Sequence, residues 1–170
     1  YVKLLPEDGH LIINADDNNC LDLPVYSKAQ AIKYGIENDD VDFQAKNIKF
    51  DDEGMAEFDV YKYNEFYEHI SLSIPGKHNI LNALACIALC DTYGISKADI
   101  KNAIHKFKGA DRRFEFKGML NGARVYDDYG HHPTEVKATA KALKNKKYNK
   151  SWVVFQPHTY SRTFNLLDDF

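Results

Sequence analysis

The chain has no apolar run of roughly 18 residues, the length a membrane-spanning helix needs. No secretory signal is visible. Cysteine is scarce and odd in number, at three residues without framework spacing, which excludes a disulfide scaffold. Cys86 and Cys90 lie one helical turn apart in an apolar run, so buried, reduced thiols in a cytosolic protein are expected. An excess of one charge is lacking too. The formal net charge is only -3, so neither a broad nucleic-acid surface nor an anionic-membrane surface is indicated. The one basic concentration, Lys141, Lys144, Lys146, Lys147 and Lys150, sits at the end of an expected helix and reads as a solvated face complementing the dipole. A Gly-x-x-x-x-Gly-Lys-[Ser/Thr] phosphate loop is also missing, because Pro75-Gly76-Lys77 lacks the preceding glycine and the hydroxyl residue. What remains is 44% hydrophobic and 28% charged, the balance of a folded globular chain. Its 170 residues suffice for one large domain or two small ones. The last residues, Asp168-Asp169-Phe170, fall inside an expected helix, and both ends read as cut from something longer.

The pattern along the chain is that of an α/β protein. Leu11 to Asn14 is a short strand ending in the polar turn Ala15 to Asn19, and Lys28 to Ile36 is a second strand. From Val41 to Ile74 apolar residues alternate between turns at Asp51-Asp52-Glu53-Gly54 and Tyr63-Asn64, which predicts a three-stranded antiparallel meander. Its aromatic residues fit strand propensity and need no nucleic-acid partner. Pro75-Gly76 breaks the sheet, and Lys77 to Tyr93 predicts a helix closed by Gly94. A second helix, Lys97 to Phe107, has Ser96 as its N-cap. Gly109-Ala110-Asp111 reads as a hinge, which sets domains at 1–111 and 112–170. Beyond it the pattern predicts a hairpin from Phe114 to Tyr126 turning at Asn121-Gly122, a helix from Pro133 to Lys144, a strand from Trp152 to Gln156 and a closing helix. Strands alternating with helices imply a parallel α/β unit there.

Asp127-Asp128-Tyr129-Gly130-His131-His132-Pro133-Thr134-Glu135 is the most concentrated chemistry in the chain. Carboxylates and imidazoles crowd a strand-to-helix turn, where open α/β sheets place ligands. Pro133 suits the first helical position and Glu135 favours the dipole. A second cluster, Phe155 to Thr163, repeats the arrangement, so His158 and Arg162 should project from the same sheet edge as His131 and His132. Backbone N–H groups there, with Arg162, would make an anion site. Arg112-Arg113 follow the hinge, and an arginine there either forks onto a phosphate or ribose or pairs with Glu115 or Asp111. The helix from Ile80 to Cys90 is apolar except at Asn82, so it should be buried, and Asn82 must find partners. Asn79 lies on the same face. The two amides either bond a neighbouring loop or face a ligand edge such as a purine base.

Pro75-Gly76-Lys77-His78-Asn79 with Asn82, Arg112-Arg113-Phe114-Glu115, Asp127 to Glu135, and Phe155 to Thr163 together resemble the Mur ligases, in that family's order; Leu11 to Asn19 also looks like its central domain. The resemblance is nearest to the branch that joins L-alanine to UDP-N-acetylmuramate in peptidoglycan synthesis, and with it cell-wall biogenesis, cell shape and division. It implies the second half of a central ATPase-type domain, with the meander and helices, followed by the start of a Rossmann-like C-terminal domain. It implies ATP and Mg2+ as cofactors, with the phosphate loop and magnesium ligands outside these residues and no metal ligand within them. By resemblance, His78, Asn79, Asn82, Arg113 and Asp128 bind the nucleotide. Tyr129, His131, His158 and Arg162 bind substrate, and Asp128, His131, His132 and Arg162 carry the catalysis. The chemistry implied is an acyl phosphate on the muramate carboxylate with release of ADP, then attack by the alanine amine with loss of phosphate, in the cytoplasm.

Three other readings stand beside it. A sister ligase that recycles muramyl tripeptide shares much of the pattern, although Tyr129-Gly130 and Gln156-Pro157-His158 favour the alanine-adding branch. A metal hydrolase would use Asp127, Asp128, His131, His132 and His158, but adjacent histidines do not easily face one ion. A nucleotide-binding module without turnover is the third. On its own the chain is expected to be inactive for want of the phosphate loop, and a cut parallel sheet leaves an edge open to self-association.

Overall fold

The computed structural model describes residues 1–144 and 147–170, so Lys146 lies outside it. The alternating segment folds as its pattern requires. β3 (Phe43–Phe50), β4 (Met55–Lys62) and β5 (Glu65–Pro75) form an antiparallel meander. Asp51 Oδ1 closes the first turn by accepting from the amides of Glu53 (2.9 Å) and Met55 (2.8 Å). Tyr63 and Asn64 make the second, at φ of 50° and 66°, the doubly left-handed geometry that matches strand twist.

β1 (His10–Asn14) and β2 (Gln30–Gly35) add in parallel, giving a mixed sheet of order β1-β2-β3-β4-β5 in which β1 is an edge strand. Only Tyr34 and Gly35 face Phe43 and Gln44, because β3 starts where β2 ends. The chain therefore need not return a full strand length, and no crossover helix is required. Asp16 fixes this corner, accepting from the amides of Ile36 (2.7 Å), Glu37 (3.1 Å) and Asn38 (2.9 Å). The polar turn after β1 holds a short helix, α1 (Asn18–Leu21), capped by Asp17 through the Asn19 amide.

α2 (Lys77–Thr92) and α3 (Lys97–Lys106) pack on the sheet and make the core. Phe43, Phe58, Val60 and Ile70 from the strands meet Ile80, Leu84, Ile87 and Ile100 from the helices. Ser96 caps α3 as expected, accepting from Asp99 N. The prediction that α2 would be buried all round is corrected. Ile80, Ala83, Leu84, Ile87 and Ala88 are buried, whereas Asn82, Cys86 and Leu89 are exposed. A single sheet face covers only one side of a helix. The expectation of buried thiols falls for the same reason, since Cys86 is exposed while Cys20 and Cys90 are half-buried.

Beyond the hinge, β6 (Glu115–Leu120) and β7 (Ala123–Asp127) form the expected hairpin, followed by α4 (Pro133–Lys144) and α5 (Tyr160–Asn165). The strand expected from Trp152 to Gln156 is not formed, and among the described residues here the only sheet is the two-stranded antiparallel hairpin. A parallel strand needs a ladder on its flanks and cover on its faces. Neither exists here: Trp152 and Val154 are 79% and 97% exposed. Among the described residues after 111, only Pro133 and Ala142 are buried. This part touches the first through Arg124 with Glu53, Lys147 with Asp52 (2.7 Å), and Ala142 close to Gly76.

Candidate active site

The turn between β7 and α4 is built by two carboxylates that hold backbone. Asp128 accepts from Phe114 N (2.9 Å) and Gly130 N (2.7 Å), tying the post-hinge segment to the turn. Tyr129 N donates to Arg112 O at 2.7 Å, a second tie across the same gap. Arg112 and Phe114 take left-handed φ of 58° and 51°, so these bonds over-determine a strained segment. Glu135 Oε2 accepts from His131 N (3.0 Å) and His132 N (3.1 Å), while its Oε1 takes Arg113 Nη1 (3.3 Å). The His131 amide, then the His132 amide and the Arg113 guanidinium, hold its carboxyl down at about 2.

Side chains are placed by this scaffold. Neither arginine takes the ion pair considered from sequence. Arg113 meets Glu135, and Arg112 meets Asp127 (Nε to Oδ2, 3.3 Å) while stacking on the Tyr129 ring at 4.6 Å. His131 Nδ1 lies 3.0 Å from Tyr129 O, and its ring meets Tyr129 edge-on at 5.1 Å. His132 Nδ1 accepts from Thr134 N at 3.3 Å, so this imidazole caps α4. The two loops come together: the His131 and His158 rings are 5.6 Å apart. On α5, Arg162 Nη1 is buried without a hydrogen-bond partner among the described residues. A cleft of about 790 Å³ opens beside His158, lined by Gln156, Pro157, Tyr160, Phe164 and Leu167 among others.

The start of α2 lies close to this turn, His78 being within electrostatic reach of Asp128 and Arg113. Asn79 Nδ2 donates to Pro75 O (2.8 Å), and Asn82 Nδ2 donates to Asn79 Oδ1 (3.0 Å), so the backbone anchors the pair and Asn82 is exposed. His78 lies beside Gly76, whose φ is 106° and whose added Cβ would fall 2.7 Å from the imidazole. Desolvation pushes the His78 imidazole below the usual histidine range; Asp128 opposes the shift and Arg113 reinforces it. His78, Arg113 and Asp128 thus share one electrostatic neighbourhood. Among the described residues no group of three or more His, Cys, Asp or Glu is arranged for a metal ion, so the metal-hydrolase set does not converge.

The family model described as Mur ligase middle domain matches residues 2–90, and the one described as Mur ligase, glutamate ligase domain, matches 112–169. The chain belongs to the Mur ligase family. The UDP-N-acetylmuramate–L-alanine ligase of Clostridium acetobutylicum is 51% identical over all 170 residues, which span 37% of that relative. The ligase of the same name from Acetivibrio thermocellus is 44% identical over the whole chain, 36% of its length. The chain thus spans little more than a third of the curated relatives it matches. Of solved structures, MurC from Thermotoga maritima aligns with a TM-score of 0.73 at 28% identity, over 91% of this chain and 35% of that one. A murein peptide ligase from Psychrobacter arcticus aligns with a TM-score of 0.64 at 27% identity, over 93% and 33%. The fold class expected from the sequence, a Mur middle domain running into the start of the C-terminal domain, is therefore the one present.

Sequence reasoning valued Glu135 only for its charge near a dipole. The missed signal is the capping box: with His132 read as the N-cap, Glu135 stands at the third helical position.

Proposed function

We infer that this chain is part of an ATP-dependent ligase that joins L-alanine to UDP-N-acetylmuramate, a cytoplasmic step of peptidoglycan synthesis. The whole-chain similarity to ligases of that name is the observation that carries the reading. The domains divide near Asp111, with 1–111 belonging to the central ATP-binding domain and 112–170 to the ligase domain.

The residue types suit the reaction. ATP supplies the phosphoryl group that turns the muramate carboxylate into an acyl phosphate with release of ADP, and the alanine amine then displaces phosphate to form the amide. Asn79 and Asn82 offer an anchored amide edge to adenine, with His78 beside them. Arg113 and Asp128 serve the ribose and phosphate side. Arg162, half-buried and with one guanidinium nitrogen unpartnered among the described residues, fits an anion. Tyr129, His131 and His158, whose rings contact one another in series, orient the acceptor, while His132 holds the loop through its cap. Anionic reactants repel one another, and fixed cations offset that cost most where water is excluded. The Mg2+ ligands, like the phosphate loop, are assigned to the remainder of the protein on the family resemblance.

The test is ADP release by the full-length protein with UDP-N-acetylmuramate and L-alanine. Release that does not depend on alanine overturns the reading. Release with muramyl tripeptide in place of alanine favours the recycling ligase, which the likeness to the Psychrobacter arcticus murein peptide ligase keeps in view. ATP binding without turnover favours a nucleotide module. The 170-residue chain alone is expected to be inactive, since it carries no phosphate-loop lysine motif.

A further inference from the structure

Glu135 bridges the imidazole-bearing turn and the segment that carries Arg113. One carboxylate oxygen takes the amides of His131 and His132, and the other takes the guanidinium of Arg113. The turn is drawn tight on it. A Cβ at Gly130 would lie 2.6 Å from Asp128 Oδ1 and 3.3 Å from Glu135 Cβ, so any larger residue must displace the carboxylate that holds the Gly130 amide and crowd Glu135. Among the described residues Glu135 is the side-chain acceptor that Arg113 takes, and its exposed stem follows a left-handed Arg112. A long, flexible arginine next to a hinge loses rotamer freedom when it is pinned in advance, and a ligand then need not bear that entropy.

We propose that Glu135 is a positioning residue that pins Arg113 to the imidazole-bearing turn, so that the nucleotide wall and the acceptor wall are set by one carboxylate. The inference rests on the ligase reading only for the identity of the nucleotide. A bland alternative exists, in which Glu135 merely caps α4. Glutamine serves a capping box nearly as well as glutamate but carries no charge for Arg113. Glu135→Gln therefore separates the two roles.

The experiment uses the full-length protein and reads ATP affinity by titration calorimetry beside the KM for ATP. E135Q is expected to weaken ATP binding by about fivefold to tenfold, the scale of one charge-assisted hydrogen bond. In an Arg113→Ala background, the same substitution is expected to change ATP affinity by less than about twofold, because the group it acts through is gone. E135Q binding ATP as tightly as the parent overturns the proposal, and so does an equal loss in the presence and absence of Arg113. If the parent binds ATP but does not turn over alanine, the ligase reading falls while the affinity ratios still decide the role of Glu135. If the parent binds no ATP, both fall.

Discussion

His131 and His158 stand with their rings 5.6 Å apart and inclined by 49°, although all of α4 separates them in sequence. One imidazole comes from the turn after β7 and the other from the segment before α5, so two loops share one wall. In the full-length protein, under the proposed ligase reading, His131→Ala and His158→Ala are each expected to lower kcat/KM for the acceptor on the order of 10²-fold, the usual worth of a placed imidazole. The double variant should lose much less than the product of the two. Strictly multiplicative losses, measured by steady-state kinetics, would show that the rings act in separate places.

Gly130 has no room for a methyl group between Asp128 and Glu135. Gly130→Ala should cost about 1–3 kcal/mol through forced displacement of that turn. Urea unfolding of the full-length protein checks it, and a variant as stable as the parent would refute the packing described.

The two parts of the chain should answer differently to the same truncation. Phe58 is fully buried between sheet and helices, and Phe58→Ala is expected to cost about 3–5 kcal/mol. Phe116, on the hairpin, is 53% exposed, and Phe116→Ala should stay within about 0.5 kcal/mol in the 170-residue chain. Thermal or urea unfolding of both variants decides, and equal costs would contradict the distribution of the core.

Glu135 also sets a pH dependence. Its carboxyl is held at about 2, below its ordinary value of 4.5. A depressed carboxylate contributes stability that is present in full above its unfolded value and lost as pH falls through its folded one. The stability gap between the parent and E135Q should therefore be constant above about pH 5 and shrink between about pH 4.5 and 2. A gap that grew on acidification would contradict the sign.

Much of the fold was legible because it is local. Alternation between turn signals gave the meander, Ser96 gave the start of α3, and Asn121-Gly122 gave the β6–β7 hairpin. The strand at Trp152 to Gln156 was misread because a β-rich run becomes a strand only when neighbours supply a ladder, which its own sequence does not report. The loops it was meant to align still meet, through the His131–His158 contact. The all-round burial of α2 failed similarly, since periodicity counts apolar residues and not the surfaces available to cover them.

By itself, then, the sequence determined which residue types stand in the turns at 127–135 and 155–163 and which helix carries the Asn79–Asn82 pair, because turn chemistry, capping and side-chain period act over a few residues. Only the tertiary structure decided which partner each charge takes. Arg113 binds Glu135 and not Glu115, Asp128 gives both oxygens to backbone amides, and Arg162 keeps a buried nitrogen unpaired. Electrostatic pairing depends on distance and desolvation in space, and neither is written in the spacing along a chain.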